Sequence, residues 1–251
     1  MRKYKLFKSP KDDRDIMHLT SVSREVLPSK VDLRSEMPPV LDQSTLGSCA
    51  SNAASNCLRH LLKKENQPEF QPSRLYLYWN TRVNIEKSPA NEDTGVCIRD
   101  ICKAIQKYHA CDENLWAYDI SKFSIPPPLK AYKDANLHKE IKYAFVPQNL
   151  NAIKRTLANG FPIMIGIQIY DSFESEEVAK TGKVPMPDIN NENCVGGHAV
   201  ACTGWDDETK TFMCQNSWNT TWGMGGFFEI PYEYLLNEDL ASDFWVLSYF
   251  Q

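Results

Sequence analysis

Long apolar runs are missing from this 251-residue chain: no stretch approaches the ~18 apolar residues that a membrane-crossing helix needs, which excludes a spanning segment of that kind. The start, from Met1 to Arg14, is charged and lacks the apolar core of a signal peptide. An excess of one charge is missing too. With 28 Lys and Arg against 32 Asp and Glu the formal net charge is −4, spread over the chain, which argues against a nucleic-acid or anionic-membrane surface as the main partner. There is no C-x-x-C pair among the eight cysteines, and Cys97, Cys102 and Cys111, with only His109 nearby, do not complete a zinc pattern, so no metal or other cofactor is expected. Without a secretory leader those thiols are expected to stay reduced, in the cytoplasm or another reducing compartment. No repeat or low-complexity tract appears. What remains is a chain of ordinary hydrophobic content, long enough for one large domain or two small ones.

The most informative stretch is Gln43-Ser44-Thr45-Leu46-Gly47-Ser48-Cys49-Ala50. From Ala50 onward Ala53, Ala54, Cys57, Leu58, Leu61 and Leu62 keep the spacing of one helical face, with Ser48 as a candidate cap. Arg59, His60, Lys63 and Lys64 gather at the far end, where cations complement the helix dipole. Cys49 then falls at the positive end, where unpaired backbone N–H groups favour a thiolate below the usual cysteine pKa of about 8.5. Taken alone, it can equally be one more small buried residue.

A base and an orienter lie further on. His198 follows Gly196 and Gly197, read here as a turn that leaves the imidazole approachable, and runs into the apolar stretch Ala199–Trp205. Eighteen residues later, Asn216 offers an amide oxygen to one ring nitrogen, with Trp218 placed to keep water off that bond. Together these make a nucleophile, a base and an orienter.

In these blocks the chain resembles the papain family of cysteine peptidases, which includes the cathepsins. His198 follows Cys49 by roughly 150 residues, and Asn216 by slightly more than the family's range of roughly 130–150. The resemblance, from about Leu27 onward, implies an α+β fold of two lobes with the site in the cleft between them. It makes Cys49 the nucleophile, His198 its base and acid, Asn216 the orienter, and Gln43 a donor to the oxyanion beside the Cys49 N–H. It further implies that Gly95, in Asp93-Thr94-Gly95-Val96, pairs with substrate backbone. Ser242 and Asp243, before Phe244 and with Glu238 and Asp239 close in sequence, would close a subsite in which an acid favours Lys or Arg; the alternative is that these acids simply face solvent. Two departures stand out. Ala50 replaces the tryptophan that usually follows the nucleophile, and Leu46 replaces a cysteine that is usually disulfide-bonded.

The expected organisation has three parts. Residues 1–28 form an N-terminal extension. Residues 29–135 form a mainly helical lobe, with helices from Cys49 to about Lys64, Ser73 to Val83 (Ser73 as cap) and Ile98 to Tyr108, and with Pro126-Pro127-Pro128 near its end. Residues 136–251 form a β-rich lobe, with strands at 142–146, 162–170, 199–205, 211–215 and 226–230 and a short helix at 150–157. The expected activity is hydrolysis of peptide bonds in peptide or protein substrates, through an acyl-enzyme and with endopeptidase character. A catalytically silent binding module is the alternative. The extension, too short for the helical pro-region usual in such enzymes, is expected either to lie across the cleft until displaced or clipped between about Ser21 and Pro28, or to pack outside a lobe.

Overall fold

The computed structural model describes residues 3–18 and 26–249. After β1 (Lys30–Asp32) comes the central helix α1 (Cys49–Lys64), with Lys63 and Lys64 in its last turn. Its polar side is buried as well as its apolar one, because Ser55 donates to Pro72 O and Asn56 donates to Gln215 Oε1. Ser48 precedes α1 without capping it; its hydroxyl pairs with Tyr118 and accepts from Asn52 instead. α2 (Arg74–Trp79) is capped by Ser73, whose hydroxyl accepts the Tyr76 N–H. Past Trp79 the helix widens into a π turn (Asn80–Ile85), with Asn80 and Thr81 side chains bonded back to Tyr76 and Leu77 carbonyls. The buried Arg82 guanidinium there donates to the carbonyls of Pro89, Ala90 and Phe123. α3 (Ile98–Tyr108) buries Ile98, Ile101, Cys102 and Ile105 as its spacing predicts, and α4 (Leu129–Ala135) follows the three prolines. Cys102 and Cys111 are core residues, while Cys97 lies beside Glu86 and Asp100.

The second half alternates β2 (Ile141–Phe145), α5 (Leu150–Ala158), β3 (Ile163–Tyr170), α6 (Glu176–Thr181), β4 (Cys194–Asp206), β5 (Thr211–Gln215), β6 (Phe227–Pro231), α7 (Tyr232–Leu236) and β7 (Ala241–Tyr249). Among the described residues the strands make one antiparallel sheet in the order β2-β7-β3-β4-β5-β6, with β1 also on β4. Residues 30–32 therefore join the sheet and not the helical lobe.

Because side chains alternate along a strand, this sheet serves two cores. Met164, Ala199, Ala201, Trp245 and Leu247 face the helices with Ala53, Ala54 and Ile101. Their neighbours Ile163, Ile165, Val200, Cys202, Phe244 and Val246 face a second core with Trp205, Phe212 and Phe228. The cleft lies where α1 meets β3 and β4, so its walls are held by both cores.

Gly196 and Gly197 are not a turn. Both lie inside β4, which begins earlier than expected. Their lack of a side chain has another cause, the close passage of a second backbone. A Cβ on Gly196 would come 2.7 Å from Tyr4 O, and one on Gly197 would come 2.4 Å from Leu6 O.

Candidate active site

Cys49 opens α1 and His198 sits in β4, so the two reacting side chains come from a helix and from the sheet it packs against. The backbone N–H groups of Ala199, Ala50 and Cys49 itself favour the Cys49 thiolate, and Ala199 is the neighbour of His198 in β4. His198 Nε2 lies 2.8 Å from Asn216 Oδ1, and that same oxygen accepts the Ser217 N–H at 2.8 Å. A backbone N–H can only donate, so the Asn216 atom is an acceptor and Nε2 carries the ring proton. Neutral His198 thus presents the lone pair of Nδ1, the atom suited to exchange a proton with the thiol. The Trp218 ring stacks on His198 at 4.8 Å between centroids and shields the Asn216 bond, as its sequence position suggests.

Gln43 is 1% exposed and is tied to the same strip. Its Oε1 accepts from Ser217 Oγ at 2.7 Å, its N–H donates to Ser217 O at 2.9 Å, and Nε2 donates to Leu46 O at 3.1 Å. Ser217, adjacent to Asn216, was not singled out in the sequence. Its hydroxyl fixes the orientation of the Gln43 amide, so one short segment orients both the base and the oxyanion donor.

The N-terminal residues occupy the cleft. Leu6 N–H donates to Gly197 O at 3.1 Å, and Lys5 pairs with Gly197 as an isolated parallel bridge. A Cβ on Gly95, whose φ is +76°, would meet Lys5 O at 1.8 Å, so Gly95 lies directly against this backbone. An extended chain sends alternate side chains to opposite walls. Lys3 and Lys5 reach Asp93 on the helical side, whereas Tyr4 lies edge-on to His198 and Trp218, and Leu6 fills the space over Gly166 and Ser242. Leu6 is part of the hydrophobic core, although residues 1–28 read from their polar sequence as an extension and not as core. Farther along, Arg99 donates to Pro10 O and pairs with Asp15 at 3.1 Å, and His18 N–H bonds Phe145 O. Residues 19–25, which include most of the expected clipping segment, lie outside the described residues.

The thiol itself is buried, and its pKa moves opposite to the sequence expectation. Cys49 is 1% and His198 0% exposed, and burial pushes the Cys49 thiol up to about 11 against the pull of the three N–H groups. Asp243 is likewise committed: its carboxylate accepts from Ser9 N–H at 2.9 Å and Trp245 Nε1 at 3.3 Å, while Glu238 and Asp239 are exposed. Cys49, His198, Asn216, Gln43, Trp218, Gly95 and Gly197 thus meet at one cleft, with Ser242 and Asp243 along its far end.

Comparison with known proteins agrees with this architecture. A profile described as papain family cysteine protease matches residues 27–240. An uncharacterized peptidase C1-like protein of Acanthamoeba polyphaga mimivirus is 39% identical over 98% of this chain and 87% of its own length. The crystal structure of xylellain, a cysteine protease from Xylella fastidiosa, superposes with a TM-score of 0.90 at 36% identity, covering 100% of this chain and 98% of that one. Digestive procathepsin L 3 of Tenebrio molitor larval midgut shares the fold, with a TM-score of 0.70 at 17% identity over 98% of this chain and 75% of its own. The chain therefore belongs to the papain family of cysteine proteases and is a cysteine-type peptidase.

Proposed function

We propose that this peptidase is an endopeptidase held in check by its own residues 3–10. The observation that carries the reading is the run of contacts from Tyr4 at Trp218, past Lys5 at Gly95, to Ser9 at Asp243, which follows a groove extending to both sides of Cys49. A groove that accepts a continuous backbone on both sides of the nucleophile suits an internal stretch of a polypeptide. The same contacts exclude substrate while they last.

In the chemistry we assign, the Cys49 thiolate attacks the scissile carbonyl carbon, and negative charge develops on its oxygen. The Cys49 N–H and Gln43 Nε2, released from Leu46 O, donate to that oxygen. Imidazolium His198 gives its Nδ1 proton to the leaving nitrogen, so the C–N bond breaks and the amine departs. Neutral His198 then takes a proton from water, hydroxide oxygen adds to the thioester carbon, and the C–S bond breaks to release the carboxylic acid and the thiolate. Asn216 and Trp218 hold the imidazole in the required orientation throughout.

The test compares the full chain with one beginning at Leu27 on the same small peptide amide. Higher turnover by the shorter chain supports self-blocking. Equal turnover, with the full chain uncleaved throughout the assay, overturns it.

A further inference from the structure

Two lysines of the covering segment, Lys3 and Lys5, converge on Asp93. Its side chain is only 7% exposed and lies between the nucleophile's own loop and the glycine that faces the bound backbone. Oδ1 accepts the Gly47 N–H at 3.1 Å, two residues before Cys49, and the Tyr78 hydroxyl at 2.6 Å. The Tyr78 oxygen in turn accepts the Gly95 N–H at 3.1 Å. Gly47, Asp93, Tyr78 and Gly95 thus form one rigid wall. Onto it the segment delivers two cations: Lys3 Nζ sits 2.7 Å from Oδ2, and Lys5 Nζ bonds the Asp93 carbonyl oxygen with its charge 4.0 Å from Oδ2. Burial works against a charge at Asp93, yet the bonds from Lys3 and Tyr78 and the two lysine charges hold its carboxyl below the usual value.

The side of the cleft follows from the chemistry. His198 must reach the leaving nitrogen, so the leaving group lies over His198 and Trp218, where Tyr4 now rests. Lys5 and Leu6 lie beyond, against Gly47, Gly95 and Gly166, on the side of the acyl group. When the segment leaves, Asp93 keeps its Gly47 and Tyr78 bonds and loses both cations. A half-buried carboxylate then stands beside the nucleophile with no basic partner from the segment.

We infer that Asp93 is a specificity-determining residue, taking a Lys or Arg side chain from the substrate residue that carries the scissile carbonyl, and that Lys3 and Lys5 are the tethered stand-ins for that side chain. The inference rests on the reading of residues 3–10 as a blocking segment. It assigns basic selectivity to Asp93 and not to Asp243, whose two oxygens keep the Ser242 hydroxyl at 3.2 Å and Trp245 Nε1 at 3.3 Å after Ser9 leaves with the segment. The space over Gly166 and Ser242 takes the branched apolar neighbour, as it takes Leu6 here.

The test measures kcat/KM of the full chain on two fluorogenic acyl-dipeptide amides, Leu-Lys and Leu-norleucine, which differ in charge and little in shape. Any fraction of molecules with a covered cleft scales both values equally, so their ratio reports the subsite alone. A charge-assisted hydrogen bond predicts a Lys-to-norleucine ratio of about 10- to 100-fold. Asp93→Asn keeps an oxygen for Gly47 and Tyr78 and removes the charge, and the ratio is expected to fall to within about twofold of one. The double variant Lys3→Ala/Lys5→Ala keeps Asp93; both rates are expected to rise and the ratio to stay high. A ratio near one in the natural chain, or a high ratio that survives Asp93→Asn, overturns the assignment. Unchanged absolute rates in the double variant count against the blocking segment instead, so the two readings fail separately.

Discussion

Replacing Leu6 by alanine isolates the strength of the plug from everything else in the molecule. Leu6 is 9% exposed and packs over Gly166 and Ser242, while the next residue, Phe7, is 58% exposed. Burying a leucine side chain contributes about 1.5–3 kcal/mol, and Leu→Ala in a core costs about 2–5 kcal/mol. The segment can shift to fill part of the gap, so the lower figure of about 2 kcal/mol applies. At 1.4 kcal/mol per decade, the ratio of covered to open cleft falls about 30-fold. Initial rates of the full chain on a small peptide amide are expected to rise by about 10- to 100-fold, up to the rate of a chain beginning at Leu27. Phe7→Ala removes a larger side chain from the same segment and is expected to change the rate less than about twofold, as surface substitutions usually do. If Leu6→Ala matched the natural chain while the chain beginning at Leu27 was faster, the contact over Gly166 would not be what holds the segment down.

Cys49→Ala is expected to abolish turnover and leave the melting temperature within a few degrees, since Cys49 is 1% exposed and alanine is a smaller group for the same packed site; residual turnover at the natural rate would refute the nucleophile assignment. His198→Ala should lose nearly as much, and Asn216→Ala less, because without the 2.8 Å bond the imidazole is still present but misoriented part of the time; kcat on one substrate ranks the three. Iodoacetamide labelling of Cys49, followed by mass spectrometry to separate it from the exposed Cys194, reports the thiolate directly. In the covered chain burial favours the protonated thiol, so labelling should climb through pH 9 and above toward a midpoint near 11. In a chain beginning at Leu27 that burial is gone, the helix N–H groups and His198 imidazolium act unopposed, and labelling should already be fast near pH 6. Coincident pH profiles for the two chains would refute this account.

The chemistry was legible in the sequence because it depends on residue types at loose spacing. A cysteine at the start of the periodic helix α1, a histidine entering an apolar strand and an asparagine beside a tryptophan are local patterns, and each sits where its pattern implies. The α3 boundaries and the capping of α2 by Ser73 were local in the same way. The strand β7 and the pairing of β1 with β4 were not, since both depend on partners far along the chain. Nor were the roles of single positions that touch something distant. Gly196 and Gly197 read locally as a turn, and only the approach of Tyr4 and Leu6 gives the reason for two glycines inside a strand. Asp93 is one acid among 32 acidic residues until Lys3, Tyr78 and Gly47 are brought to it. The state of Cys49 is the clearest case. Its sequence position, at a helix start with a histidine elsewhere, determined that a thiolate would be favoured in water. Whether water reaches it was decided by the fold, which leaves Cys49 1% exposed beside a cleft crossed by the Lys5–Gly197 pairing, and burial turns the pKa shift upward.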